Sequence, residues 1–498
     1  MSRLVIAALL LVMAAAPVRG EDGDDGGAED RSYRLFGTWN VTWEDNQTAE
    51  DDPGGEAYQK LKSLLNLNLL WWRMSAGVQL EYLDYSDPEL VDPGDLDRLR
   101  EGFELRKYWI EYLSDPFDAR LGTFFTSFGH GMTLYVQKND VVGFDEPIHG
   151  GTATLSLGRL ELTALGGEVS EPLLSNRFGR EFEDNLWGST ARIELPADLY
   201  IGGSVVGAEL QSIYPDQDDD EVDVWAVEAG GVELGGVLDV HAEWSEIEQT
   251  ERGRTEDGHG GYLALSSTMG PVTLLGEYKD YWNFAYRYNN PPTAGSTLEQ
   301  YAHDDVKGPR LMVSGDILRT GTRLYGSYGD FNTHRDEGSL GGTEGDQQLE
   351  WYAGLEETAG PLYLEASYFS RDWKDRGVTE EHIIADVHIA TLGGRGDVSF
   401  GYDSRLEDLG HATSDLDRTY LGFSLSPYGS VTARYARDDK SSVGTEDFWG
   451  GEVEFFPIRD ITIGLFIGSD PGGLVCSGGQ CRIEPPFDGM RARFAWRF

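Results

Sequence analysis

Residues 488–498 read D-G-M-R-A-R-F-A-W-R-F. With the period of two that a strand imposes, Met490, Ala492, Phe494, Trp496 and Phe498 share one face, and Arg491, Arg493 and Arg497 share the other. A soluble sandwich can bury the apolar face of such a strand, but it rarely ends on one, because chain termini are usually solvated and frayed. The chain ends on Phe498 itself. A strand of this kind suits a sheet whose outer face meets hydrocarbon and whose inner face is wet.

The amino end reads as an export signal. Arg3 is a thin positive region, Leu4 to Ala16 is an apolar run, and Val18-Arg19-Gly20 supplies a cleavage site after Gly20. Residues 1–20 are therefore expected to be a signal peptide, and the acid-rich stretch 21–31 a disordered tail. The apolar run is too short for a helical span, and charge interrupts every later apolar stretch. An exported chain of this type either stays soluble or crosses a membrane as strands. Its 64 Gly, 24 Tyr, 21 Phe and 13 Trp, in a chain 40% hydrophobic, favour strands.

The 40 basic and 87 acidic residues give a net charge of −47. Removing Arg3 and Arg19 with the signal makes it −49. Phosphate would be repelled from such a surface, so nucleic acid is excluded as a partner. The cysteines are Cys476 and Cys481 alone. In an exported protein this pair is expected to close a small disulfide loop, with Ser-Gly-Gly-Gln supplying the turn.

From Tyr33 onward, strand-like runs alternate between tight turns and long polar loops. Tight turns are placed near Arg73, Pro116, Gly158, Ala197, Gly235, Gly270, Gly321, Gly360, Gly394, Tyr428 and Arg459. Eleven turns join 22 strands; an opening strand from Tyr33 and the closing one from Asp488 make 24, within a range of 22 to 26. The even number is what antiparallel closure needs. The fold class expected is an all-β, antiparallel up-and-down transmembrane barrel over residues 32–498. Too little chain precedes Tyr33 for a plug domain. A β-solenoid or propeller would share the period near 40 residues, but the turns carry no recurring signature.

The long connections, among them Ala285 to Asp305 and Pro215 to Glu221, are expected outside the cell. Asp216, Asp218, Asp219 and Asp220 form the densest acidic cluster and offer hard oxygen ligands for Ca²⁺, without the spacing of an EF-hand. Exposed solvation is the default for such a run.

One stretch breaks the hairpin rhythm. Residues 117–151 contain F-G-H-G at 128–131, followed by apolar Met132, Leu134 and Val136. A segment this apolar should not dangle in water, so residues 128–149 are expected to fold inward and narrow the pore. The candidate constriction residues are Phe128, Gly129, His130, Gly131, Lys138, Asp140, Asp145, Glu146 and His149, with mixed charges that can set ion selectivity. His130 and His149 with Asp145 or Glu146 could ligate a metal, but polar lining is the expectation. Arg491, Arg493 and Arg497 are expected in the lumen, paired with acids on neighbouring strands.

The pattern G-x-F-Φ-x-x-F-G-x-G-Φ-x-L (Φ, hydrophobic) at 122–134, D-x-x-Φ-x-G at 145–150, G-G-L-V-C-S-G-G-Q-C-R at 472–482 and the terminal R-F resemble a family of large, porin-like outer-membrane barrels of unassigned function. The resemblance implies the fold and a bacterial outer-membrane location, with lipid and the barrel-assembly machinery as partners. Phe498 resembles the terminal aromatic that this machinery reads. The resemblance brings no substrate, cofactor or catalytic residue.

No G-x-S-x-G elbow, H-E-x-x-H or P-loop occurs. His241 with Asp239 and Ser245 lies in a row on one strand face, poor geometry for a relay, so no enzyme is expected. The functional expectation is a channel for passive diffusion of small solutes that favours cations. The alternative is a structural or interaction barrel that surrounds a partner protein.

Overall fold

The computed structural model describes residues 33–47, 57–85, 102–139, 145–170, 183–212, 219–231, 237–251, 253–293, 305–317, 320–334, 347–374, 377–408, 410, 412–440, 444–477, 480–484 and 486–498. The expected signal 1–20 and tail 21–31, together with Asp140, Asp216, Asp218 and Gly235, lie outside these residues.

In chain order the strands are β1 (Tyr33–Asn46), β2 (Tyr58–Trp71), β3 (Met74–Tyr85), β4 (Gly102–Ser114), β5 (Phe117–Phe124), β6 (Thr126–Phe128), β7 (Leu134–Val136), β8 (Ile148–Leu157), β9 (Leu160–Ser170) and β10 (Glu183–Glu194). There follow β11 (Tyr200–Leu210), β12 (Asp220–Gly230), β13 (Leu238–Glu251), β14 (Arg254–Met269), β15 (Val272–Trp282), β16 (Asp305–Ile317), β17 (Thr322–Asn332), β18 (Gln347–Ala359) and β19 (Leu362–Trp373). The last are β20 (Val378–Thr391), β21 (Gly396–Asp408), β22 (Thr413–Leu425), β23 (Gly429–Lys440), β24 (Gly444–Ile458), β25 (Ile461–Asp470), β26 (Gly473–Ser477), β27 (Gln480–Glu484) and β28 (Phe487–Arg497).

Twenty-four of these strands form one antiparallel sheet, and β6–β7 and β26–β27 are two short pairs apart from it. The chain's wall passes from β5 directly to β8 and from β25 to β28. The terminal strand then pairs with the first, from Thr38↔Arg497 to Asn46↔Gly489. That seam closes the sheet into a barrel, and closure removes the open edges on which sheets aggregate. The tight connections fall where the alternation of the sequence puts them; at three of them Gly158, Gly270 and Gly360 have φ of 64°, 62° and 62°, the left-handed values a tight turn demands.

The two faces of the wall differ as period two requires. On β12, Val222, Val224 and Ala226 are buried inside while Trp225 and Val227 are exposed outside. Trp187, Ile201, Leu311, Trp351, Leu421 and Ile467 are among the exposed outward side chains around the ring. Each such side chain gains about 1.5–3 kcal/mol on leaving water, so a belt of this extent fits hydrocarbon as its solvent.

β28 obeys the same rule. Phe494 packs edge-on against Trp39 at 5.5 Å, while Arg491 Nε lies 2.7 Å from Glu44 Oε1 inside and Arg493 Nη1 4.0 Å from Glu452 Oε1. Arg497 pairs with Thr38 on that inner face. Phe498 exchanges two backbone hydrogen bonds with Gly37, at 2.8 and 3.1 Å.

Candidate functional site: an inward clamp in the lumen

The wall thins where the sequence rhythm stretches. The chain leaves it after Phe124 and rejoins at Ile148. From residue 125 it turns inward, making the small β6–β7 hairpin. Phe128, Met132, Leu134 and Val136 are buried, and they pack with Leu165, Leu186, Val206, Val222, Val224 and Ile247 of the wall. The lumen face of β9 to β13 is apolar at these positions, so water there would be unfavourable and the hairpin covers it. At one contact between the two surfaces the wall carries a glycine. A Cβ on Gly260 would stand 2.6 Å from the Phe284 ring and 2.8 Å from Met132 Cε.

Phe284 belongs to a second inward segment, which corrects an expectation. The connection from Ala285 was placed outside the cell, but its described part, up to residue 293, lies in the lumen against the first segment. Tyr135 N donates to Tyr288 O at 2.7 Å and Asn290 N to Gly131 O at 3.0 Å. Tyr286 Oη donates to Thr133 O, and full burial pushes its hydroxyl pKa well up. Tyr288 Oη donates to Asp184 Oδ2 at 2.7 Å, and Arg287 pairs with the same carboxylate. Phe284, Tyr286 and Tyr288 supply the apolar surface that holds this segment in place.

At the tip of the first segment, Gly129 and Gly131 adopt φ of 58° and 82°. They swing His130 against the wall near the tight-turn end of β13. The His130 amide donates to Glu243 Oε2 at 3.1 Å, and His130 Nδ1 lies 3.4 Å from the same oxygen. His241 Nε2 is 3.7 Å from it, and the two imidazoles lie tilted against each other at 47°, with centroids 3.9 Å apart. Glu228 lies directly opposite Glu243 in the β12–β13 register. His241 Nδ1 and Tyr200 Oη share a hydrogen bond of 2.8 Å. One ligand atom from each of His130, Glu228, His241 and Glu243 lies within 4.8 Å of the others. These four residues could hold a cation.

The other expected constriction residues divide. Lys107 of β4, nearly buried, pairs with Asp145 and lies 5.0 Å from the Phe125 ring centroid, fixing the returning limb of the segment. Lys138, Asn139 and Glu146 each have an interaction partner. His149 is a correction: it sits in β8 next to Ile148, whose side chain is in the lumen core. Alternation therefore turns it to the outer face, where its ring is 6.3 Å from that of Tyr108. It does not meet His130, and the pairing of the two on one metal with Asp145 or Glu146 does not form. Of the acidic loop cluster, Asp219 Oδ1 accepts from Ser212 N at 3.2 Å and Asp220 opens β12. Cys476 faces Cys481 across the β26–β27 pair; their side chains lie outside the described residues.

Glu228, Tyr200 and the 283–293 segment carried no functional expectation. The signal that could have found them is the inward parity of Val222, Val224 and Ala226, apolar where a wet lumen would be polar.

The family model described as "Family of unknown function (DUF6029)" matches residues 1–293. The chain belongs to this family. The match takes in both inward segments and all four clustered side chains. A siderophore receptor, PirA from Pseudomonas aeruginosa, is similar at 10% identity over 95% of this chain and 81% of that one, with a TM-score of 0.52. The E. coli P pilus tip assembly intermediate is similar at 9% identity over 95% of this chain and 62% of the other, with a TM-score of 0.51. These likenesses are to large outer-membrane-type barrels and concern the fold alone. No curated protein matches the chain.

Proposed function

We propose that this member of the family is a non-enzymatic, porin-like channel of the bacterial outer membrane, passing small hydrophilic solutes by diffusion and favouring cations. The observation that carries the reading is the one-sided docking of the inward segments. Their described contacts run to the wall between β4 and β16, while the facing arc keeps its own lumen charges: Arg371 with Glu350 and Glu380, Arg405 with Glu380. Barrels of 16 to 18 strands already enclose an aqueous channel, so a hairpin on one side of 24 strands narrows the lumen without spanning it. The charge of −47 supports the preference for cations.

In this reading residues 1–20 direct export and are removed, Phe498 engages the assembly machinery, and Cys476 and Cys481 form a disulfide that locks the β26–β27 hairpin. Planar-bilayer recording tests it. Stepwise conductance with a cation-selective reversal potential at low salt is expected; no channel activity, or anion preference, would contradict it.

A further inference from the structure

We propose that His130, Glu228, His241 and Glu243 form a binding site for a divalent transition-metal cation of the zinc class, which staples the tip of the inward segment to β12 and β13. The site stands whether or not the barrel conducts.

Three observations carry it. Glu243 has a side chain only 1% exposed, its Oε1 has no hydrogen-bond partner, and neither has His241 Nε2. A buried acceptor left without a partner is unfavourable unless something else satisfies it. Next, two carboxylates stand directly across a strand pair, an arrangement that repels unless a cation lies between them. Third, the hydrogen bond between Tyr200 Oη and His241 Nδ1 is the outer support that metal-bound imidazoles use. With Nδ1–H donating to Tyr200 Oη, the Nε2 lone pair faces Glu243.

The spacing agrees. Bonds of about 2.0–2.2 Å in a tetrahedral zinc site put neighbouring ligand atoms roughly 3.4 Å apart, and the two histidine nitrogens lie 3.4 and 3.7 Å from Glu243 Oε2. Two imidazoles with two carboxylates select a first-row transition cation over Ca²⁺ or Mg²⁺, which prefer oxygen alone. Gly129 belongs to the same construction, since a Cβ there would clash with Glu243 Oε1. The tip can close on the carboxylate because that residue has no side chain.

The test uses the full-length barrel in detergent, stripped with a chelator and dialysed. It is titrated with Co²⁺ alone, followed by visible ligand-field absorption, and separately with Zn²⁺ alone, followed by elemental stoichiometry. One equivalent per chain is expected, with Zn²⁺ displacing Co²⁺ and excess Ca²⁺ failing to. Glu243→Gln and His241→Gln should weaken binding by more than the roughly 10- to 100-fold expected for the outer-partner change Tyr200→Phe. His130→Ala, on the loop, should also weaken it while the folded barrel's gel mobility stays unchanged, and His149→Ala should leave it intact. Zn²⁺ should slow deuterium exchange at residues 126–139. Absence of uptake, equal uptake by wild type and Glu243→Gln, displacement by Ca²⁺, or binding without slowed exchange would each overturn the proposal.

Discussion

The arc from β8 to β15 and the arc from β16 through β28 to β4 follow one alternation of inward and outward side chains, yet each presents the lumen with a buried patch of different chemistry. The first presents Val206, Val222, Val224 and Ile247; the second presents Glu350, Arg371, Glu380 and Arg405. The apolar arc cannot be left against water and recruits two segments of the chain to cover it. The charged arc covers itself. Arg371 is 1% exposed, held between Glu350 Oε2 at 3.0 Å and Glu380 Oε2 at 3.5 Å, with the Phe369 and Trp373 ring centroids each 5.2 Å from its guanidinium carbon. In a barrel the lumen face, freed from forming a common core, decides locally whether a loop folds in or stays out.

The comparison breaks most readily if the recruited cover is removed. Replacing residues 126–138 by a short Gly-Ser link should raise single-channel conductance several-fold while leaving the barrel folded; an unchanged conductance would mean that the hairpin does not limit the passage. On the charged side, Arg371→Ala removes the guanidinium between buried Glu350 and Glu380, leaving Glu380 with Arg405, and should destabilise the barrel by about 3–5 kcal/mol in detergent unfolding. A loss under about 1 kcal/mol would show that water reaches the triad. Met132→Ala should weaken docking of the hairpin by about 2–5 kcal/mol, seen as faster deuterium exchange at 126–139 with little change in global unfolding. Gly260→Leu overpacks the contact with Met132 and Phe284 and should destabilise the docked state by about 1–3 kcal/mol, read by the same exchange. The smallest effect belongs to Arg434→Ala, whose half-exposed partnership with Glu452 is worth at most about 1 kcal/mol.

The wall was legible because every strand repeats one rule. Period two with turn residues at Gly158, Gly270 and Gly360 suffices to count strands and assign faces, and Met490 to Phe498 shows which face meets lipid. The clamp was legible by half. F-G-H-G and the apolar residues after it announce a segment that must find cover, but nothing local says what covers it. His130 meets Glu243 across a separation of 113 residues, and His241 read in its own strand suggests only a row with Asp239 and Ser245. His149 misled because its distance from His130 in sequence suggests one loop, whereas the wall has already resumed at Ile148. The connection from Ala285 was misread because Asn289, Asn290, Pro291 and Pro292 outweigh Tyr286 and Tyr288 when the surface that receives those rings is unknown.

The seam between β1 and β28 also orders events in time. It joins residues 38–46 to residues 489–497, so the ring can shut only after nearly the whole polypeptide has been delivered, and loop-closure entropy makes so distant a pairing slow. Among the described residues, the buried side chains of the lumen core run from Phe124 to Tyr288, with Val306 packed against them. The half of the wall that carries the hairpin can therefore assemble around its filling while the ring is still open, and the filling is enclosed afterwards instead of being threaded in.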